Sequence, residues 1–133
     1  MNSWGGDPGS SFAIYNYLRA SGPKITAYNL GEVSSAATTI FLAGDKRFAA
    51  KHSFFKFHPT TWDLHATGNH GMQRVNDASA SIEAYHRVQT NIYLERTKMK
   101  PPEISGLFSK TVIFTPDEAL SRGIIEGIAD PPA

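Results

Sequence analysis

The spacing of hydrophobic positions changes several times along this chain. Phe12, Tyr15 and Leu18 step by three, which predicts a helix capped by Ser10 or Ser11 and stopped at Ser21-Gly22-Pro23. Residues 24–30 read as a short strand through Ile25, Ala27, Tyr28 and Leu30. Gly31 turns the chain. A second helix is expected from Ser34 or Ser35 through Ala43, ended by Gly44. After the polar turn Asp45-Lys46-Arg47, residues 48–51 and 53–57 read as a pair of short strands, followed by a loop over 59–71. Met72, Val75, Ala78, Ile82, Tyr85, Val88 or Gln89, and Ile92 then form one stripe of a long helix over 72–97. Residues 98–102 break it, 103–108 form a short apolar turn, and Val112–Phe114 is a strand. Thr115-Pro116-Asp117-Glu118 is a capping-box pattern with proline at the first helical position, opening a helix over 116–122. Gly123 ends that helix, and 124–128 is a final strand.

Strands alternating with helices predict an α/β layout with crossover connections. The strands are few and short. The glycine-rich loop of residues 2–9 has no strand ahead of it, where such a loop usually follows one. The expectation is a chain that begins in mid-fold, with one sheet edge bare and prone to self-association.

The totals narrow the classes. A chain of 133 residues fits one domain, 1–133. With 41% hydrophobic and 19% charged residues it can pack a core, and disorder is disfavoured. A net charge of +1 argues against broad binding to nucleic acid or membrane surfaces. No apolar run approaches the roughly 20 residues of a membrane span. The opening residues lack the basic-then-apolar pattern of a signal peptide. The absence of cysteine excludes a disulfide framework and a thiolate nucleophile, and it fits a reducing, cytoplasmic setting.

The chemistry concentrates at two points. Ser35 follows the turn Gly31-Glu32-Val33-Ser34 and opens an apolar helix, where a serine can serve as nucleophile or as a plain helix cap. His58-Pro59 closes the apolar run of residues 53–57, where a histidine can act as base or sit satisfied in the core. A serine hydroxyl needs such a base at neutral pH. Ser34 is the alternative nucleophile if the register slips by one, and Lys56 the alternative base. His52, His65, His70 and His86 do not have compact metal-site spacing, so no metal is expected.

Taken together, Asn2-Ser3-Trp4-Gly5-Gly6, Ile14-Tyr15-Asn16, Gly31-x-x-x-Ser35-Ala36-Ala37, Ala43-Gly44, Lys46-Arg47-Phe48, Phe57-His58-Pro59 and Phe114-Thr115-Pro116-Asp117-Glu118-Ala119 with Gly123 have a characteristic order and spacing. The chain resembles the Clp protease proteolytic subunit family from residue 2 to about 130, over the latter two-thirds of a family member. The resemblance implies a serine peptidase on a crotonase-like α/β fold, a ClpP-type β-α-β superhelix truncated at its N-terminus. It implies Ser35 as nucleophile, His58 as general base, and the N–H groups of Gly5 and Ala36 as the oxyanion hole. The implied substrate is unfolded polypeptide. The implied partners are further copies of the chain in stacked rings and an AAA+ unfoldase; ATP serves only that partner, and the chain itself needs no cofactor. Residues 72–97 correspond to the helix at which two rings meet.

The third catalytic position departs from the family. Counting back from Glu118-Ala119, the place of the acid is taken by Thr111. A threonine can hold a histidine tautomer but carries no charge for the imidazolium, and losing that charge costs roughly 10⁴ in kcat. Asp63, Asp77 and Asp117 are the carboxylates considered as replacements. The other readings are a non-catalytic ring subunit, a phage-type capsid-maturation protease of the same clan (Ser-Ala-Ala, the Ala-Gly-Asp-Lys turn and Tyr93-x-x-Arg96-Thr97 fit it as well), and an acyl-CoA enzyme of the crotonase type.

Overall fold

A computed structural model describes residues 1–62 and 71–132. In chain order the elements are α1 (Pro8–Ala20), β1 (Thr26–Asn29), β2 (Glu32–Ser34), α2 (Ala36–Phe41), β3 (Lys46–Ala49), β4 (Phe54–Phe57), α3 (Met72–Arg96), α4 (Pro101–Leu107), β5 (Val112–Phe114), α5 (Pro116–Ser121) and β6 (Gly127–Ile128). The strands form two three-stranded sheets, ordered β1-β3-β6 and β2-β4-β5. The first is wholly parallel. In the second, β2 and β4 run parallel while β5 returns antiparallel to β4. The chain therefore lays one strand in each sheet, crosses over through helix, and repeats: the turn of a superhelix.

Two expectations are corrected here. Residues 24–34 are not a strand and a turn but two strands, β1 and β2, in different sheets. The buried Asn29 makes the corner: its Nδ2 donates to the Phe54 carbonyl at 2.9 Å, and its Oδ1 accepts the Gly31 N–H at 3.0 Å. β2 has three residues, too few for a period to show, and its partner β4 is remote in sequence. Likewise β3 and β4 do not pair with each other. Parallel pairing needs a crossover between partners, so each strand joins one from the previous turn of the superhelix.

The helices begin where side chains can hold them. α1 opens at Pro8 rather than at Ser10 or Ser11, because the Asp7 carboxylate accepts the Ser10 N–H at 2.6 Å and proline suits the first helical position. Ser11 instead donates its hydroxyl hydrogen to the Pro8 carbonyl. The expected capping box at α5 forms in both directions, Thr115 with Glu118. α2 is shorter than expected, with 42–43 in turns, and the final strand contracts to Gly127–Ile128.

Phe41, Phe55, Tyr93, Ile104 and Leu107 lie at or below 2% exposure in the single core. Burying each apolar side chain of this size is worth about 1.5–3 kcal/mol. α3 joins this core mainly through its C-terminal part, with Ala78 the buried residue of its first half. Ile92, Tyr93 and Gln89 are buried, whereas Met72 and Val75 at its start are exposed. Of the two residues left open for the stripe, Gln89 faces inward and Val88 outward. Below α3, the buried Arg47 donates to the carbonyls of Ile124, Arg96 and Gly123, and Arg96 donates to those of Leu42 and Gly44. Two guanidinium groups thus tie the ends of α2 and α3 to the loop before β6. Burial, and then the neighbouring Arg96 charge, lower the Arg47 pKa.

Residues 1–3 run along the sheet edge that was expected to be bare. Leu30 N–H donates to the Met1 carbonyl at 2.9 Å, Ser3 N–H to Glu32 at 2.8 Å, and Ser34 N–H to Ser3 at 3.0 Å. Among the described residues, no helix is long and apolar enough to cross a membrane.

Candidate active site

Ser35 occupies the sharp step from β2 into α2. Its backbone sits at φ 54°, ψ −131°, and among the described residues it is the one non-glycine residue with positive φ. Such a conformation costs about 1–3 kcal/mol and persists only where the surroundings enforce it. The enforcing contacts are specific. Ser35 N–H donates to the Lys56 carbonyl at 2.9 Å, and the Ser35 carbonyl accepts both the Thr38 N–H at 3.0 Å and the Thr38 hydroxyl at 2.7 Å. Thr38 Oγ1 also lies 2.8 Å from the Tyr93 hydroxyl. Because the Thr38 hydrogen goes to a carbonyl, Tyr93 is the donor in that second bond. Tyr93 is fully buried, which raises its pKa. A chain of hydroxyls thus runs from α3 to the peptide of Ser35. No side-chain capping bond ties Ser35 to its own helix, so its hydroxyl is not spent on capping. Ser34, by contrast, is buried and donates to Glu32.

The glycine loop closes over this step. Gly5 has φ +95°, and a Cβ there would stand 2.8 Å from Ser35 Cβ and 2.9 Å from Ala36 N. Only glycine permits that approach. The Gly5 N–H donates to Ser3 Oγ at 3.2 Å. Gly6, rather than Gly5, borders the cavity that holds Ser35. Gly6 is the loop residue that the spacing argument missed, since two adjacent glycines cannot be ranked by sequence. Ala36 is the first residue of α2, so its N–H has no partner within the helix.

His58 leaves the end of β4. It borders the same cavity as Ser35, about 100 Å³ in volume, and also an adjoining groove of about 640 Å³. Its Nδ1 lies 2.8 Å from the Pro59 carbonyl oxygen. A carbonyl can only accept, so Nδ1 carries the hydrogen and Nε2 presents the lone pair of the neutral ring. That is the tautomer a general base requires.

Phe57 pairs with Val112 across the antiparallel ladder. One further step sets Thr111 opposite His58, and both border the groove. Yet Thr111 is exposed and, among the described residues, no hydrogen bond joins it to His58. The expected orienting role of Thr111 is filled in this structure by the Pro59 carbonyl. Lys56 is held by Glu32 at 3.8 Å. Asp77 accepts from Gln73 on α3, and Asp117 lies in the first turn of α5; neither borders the cavity or the groove. Asp63, His65 and His70 lie outside the described residues. His86 stacks on Phe108 at 4.2 Å and places Nε2 3.2 Å from Thr60 Oγ1; burial lowers its pKa. Phe108 and Thr60 both line the cavity. Among the described residues, no three His, Asp or Glu side chains converge as a metal site would need.

The family model for Clp protease matches residues 1–132, and the chain belongs to that family. Among curated proteins it is 28% identical over 130 residues to the ATP-dependent Clp protease proteolytic subunit 3 of Frankia casuarinae, covering 96% of this chain and 59% of that one. It is 29% identical over 136 residues to the proteolytic subunit 1 of Corynebacterium glutamicum, covering 98% of this chain and 62% of the relative. The chain thus spans about three-fifths of the length of these curated relatives. A solved structure of a ClpP1 mutant from Listeria monocytogenes superposes with a TM-score of 0.84 at 21% identity, over 98% of this chain and 71% of the other. The crotonase-like, ClpP-type fold read from the motifs is the fold observed.

Proposed function

We propose that this chain is a serine endopeptidase subunit that hydrolyses unfolded polypeptides. One observation carries the reading: Ser35, strained and uncapped, borders one cavity with a His58 whose Nδ1 is already committed. Ser35 Oγ attacks the scissile carbonyl carbon while His58 Nε2 takes the hydroxyl proton. The developing oxyanion is met by the Ala36 N–H and by the Gly6 N–H, since the Gly5 N–H expected in that role is given to Ser3 Oγ. Removing one such donor typically costs about 10²–10³ in rate. His58 returns the proton to the departing amine, and water then repeats the sequence on the acyl-serine. The side chain preceding the cleaved bond enters the cavity, and the flanking peptide lies along the groove past Trp4 and Lys56.

A second reading, a ring subunit of weak activity, is favoured by the uncharged Thr111 and by Pro59 being the one hydrogen-bond partner of His58 among the described residues. The proposed partners are the same under both: other copies of the chain, with the exposed start of α3 as the contact between rings, and an AAA+ unfoldase that spends the ATP. The absence of cysteine suits a cytoplasmic setting. Cleavage of a fluorescently quenched, denatured polypeptide by the full chain tests the reading. Activity that vanishes with Ser35→Ala and rises with Thr111→Asp supports the peptidase. Activity unaffected by Ser35→Ala contradicts it, and activity seen only with Thr111→Asp supports the weak subunit.

A further inference from the structure

Gln89 does not match its surroundings. It lies in α3 on the face turned into the core, and only 6% of it is exposed. It lines the cavity beside Ser35 with the apolar Ala36, Phe57, Leu107 and Phe108, while Thr60, Thr61 and His58 supply polar groups to the same cavity. Among the described residues its Oε1 has no hydrogen-bond partner. A buried amide oxygen that has lost water and gained nothing is costly, and protein interiors contain few of them. For folding alone an apolar residue at 89 would serve better. The acceptor is therefore best explained by a donor that arrives with the substrate.

We infer that Gln89 selects the substrate residue preceding the cleaved bond, favouring a neutral side chain of moderate size with an N–H donor, asparagine above all. The inference rests on the peptidase reading for what the cavity holds. Three features set the chemistry. Among the described residues no carboxylate lines the cavity, so a cationic side chain would be buried there without a counter-charge from them. The volume of about 100 Å³ suits a side chain smaller than indole. An amide facing an amide can exchange two hydrogen bonds, N–H to Oε1 and the reverse. Leucine shares asparagine's branching at Cγ but is bulkier and leaves Oε1 bare, and sites built around a buried polar group discriminate strongly against such analogues.

The test separates binding from chemistry. Two peptides, identical except for a terminal asparagine or leucine, are titrated by NMR into the full chain carrying Ser35→Ala. The asparagine peptide is expected to bind about tenfold more tightly, the worth of one satisfied buried acceptor. Gln89→Met is expected to reverse the order, since it removes the buried amide acceptor and extends the apolar part of the lining. Equal affinities, tighter leucine binding with Gln89 present, or no binding of either peptide overturns the inference; this comparison holds even if Gln89→Met does not fold. A folded Gln89→Met protein with unchanged preference also overturns it. Asparagine preference in a protein whose wild type cleaves nothing supports the pocket assignment and refutes the peptidase reading instead.

Discussion

The two halves of the candidate site are built differently. Around Ser35 everything is fixed from beneath: the Lys56 carbonyl, Thr38, the buried Tyr93 and the close approach of Gly5. Around His58, among the described residues, almost nothing is. One backbone carbonyl holds the ring, and the residue opposite on the next strand is an exposed, uncharged threonine. The first half stores backbone strain that only a rigid surround can keep. The second leaves the histidine oriented but, among the described residues, gives its charged form no counter-ion. On the proposed peptidase reading, rigidity at the serine and laxity at the histidine would limit the rate on the histidine side.

Breaking the rigid half should have the largest effect. Gly5→Ala places a Cβ against Ser34 O, Ser35 Cβ and Ala36 N at a positive φ. It is expected to cost about 3 kcal/mol or more of stability, as overpacking and backbone strain add. It should also lower the reactivity of Ser35 by about 10²–10³ through the oxyanion donors. Denaturant midpoints and peptidase rates measure the two effects. Gly6→Ala strains the backbone at φ +152° but meets no neighbouring atom, so it should unfold less than Gly5→Ala, which separates the loop's crowding from its backbone strain.

Sharpening the lax half comes next. Thr111→Asp sets a carboxylate opposite His58 and should raise the peptidase rate by about 10- to 100-fold. That is less than the full triad effect of about 10⁴, because the site is exposed and Pro59 already fixes the tautomer. No change in rate would remove position 111 from the mechanism. Tyr93→Phe is a smaller probe. It deletes the donor to Thr38 and should cost about 1 kcal/mol by urea midpoint, the value of one buried hydrogen bond.

The smallest effect is a pH slope. Burial lowers the pKa of His86, which backs the cavity wall through Phe108. Its folded pKa lies below its unfolded value of 6.5, so below that pH the unfolded chain binds the extra proton. The stabilisation is present above pH 6.5 and is lost as pH falls through the lower folded value. Thermal melts from pH 8 to 5 should show this decline, and His86→Phe should flatten it.

Much of the fold was legible where local chemistry decides it. The capping box at Thr115–Glu118, the three-residue β5 and the long α3 follow from turn chemistry and helical period. Strand partnership was not legible. β3 and β4 are near in sequence yet belong to different sheets, because parallel pairing is set by crossovers rather than by neighbours. β2 was hidden by its length. At the site, the glycine turn and His-Pro marked Ser35 and His58, and antiparallel register sets Thr111 opposite the histidine. The Pro59 contact could not be read from sequence, since backbone carbonyls carry no residue signature. Gln89 was visible only as an ambiguity in a stripe of apolar positions. A polar residue at a core position is itself a signal, and only burial gave it meaning.

The central claim is that the Ser35 hydroxyl is activated by His58. Intact-mass analysis after treatment of the full chain with a fluorophosphonate tests it directly. The account expects a single adduct, mapped to Ser35, formed quickly in the wild type, slowly with His58→Ala and not at all with Ser35→Ala. A folded protein that forms no adduct, or one that labels equally well without His58, would contradict it.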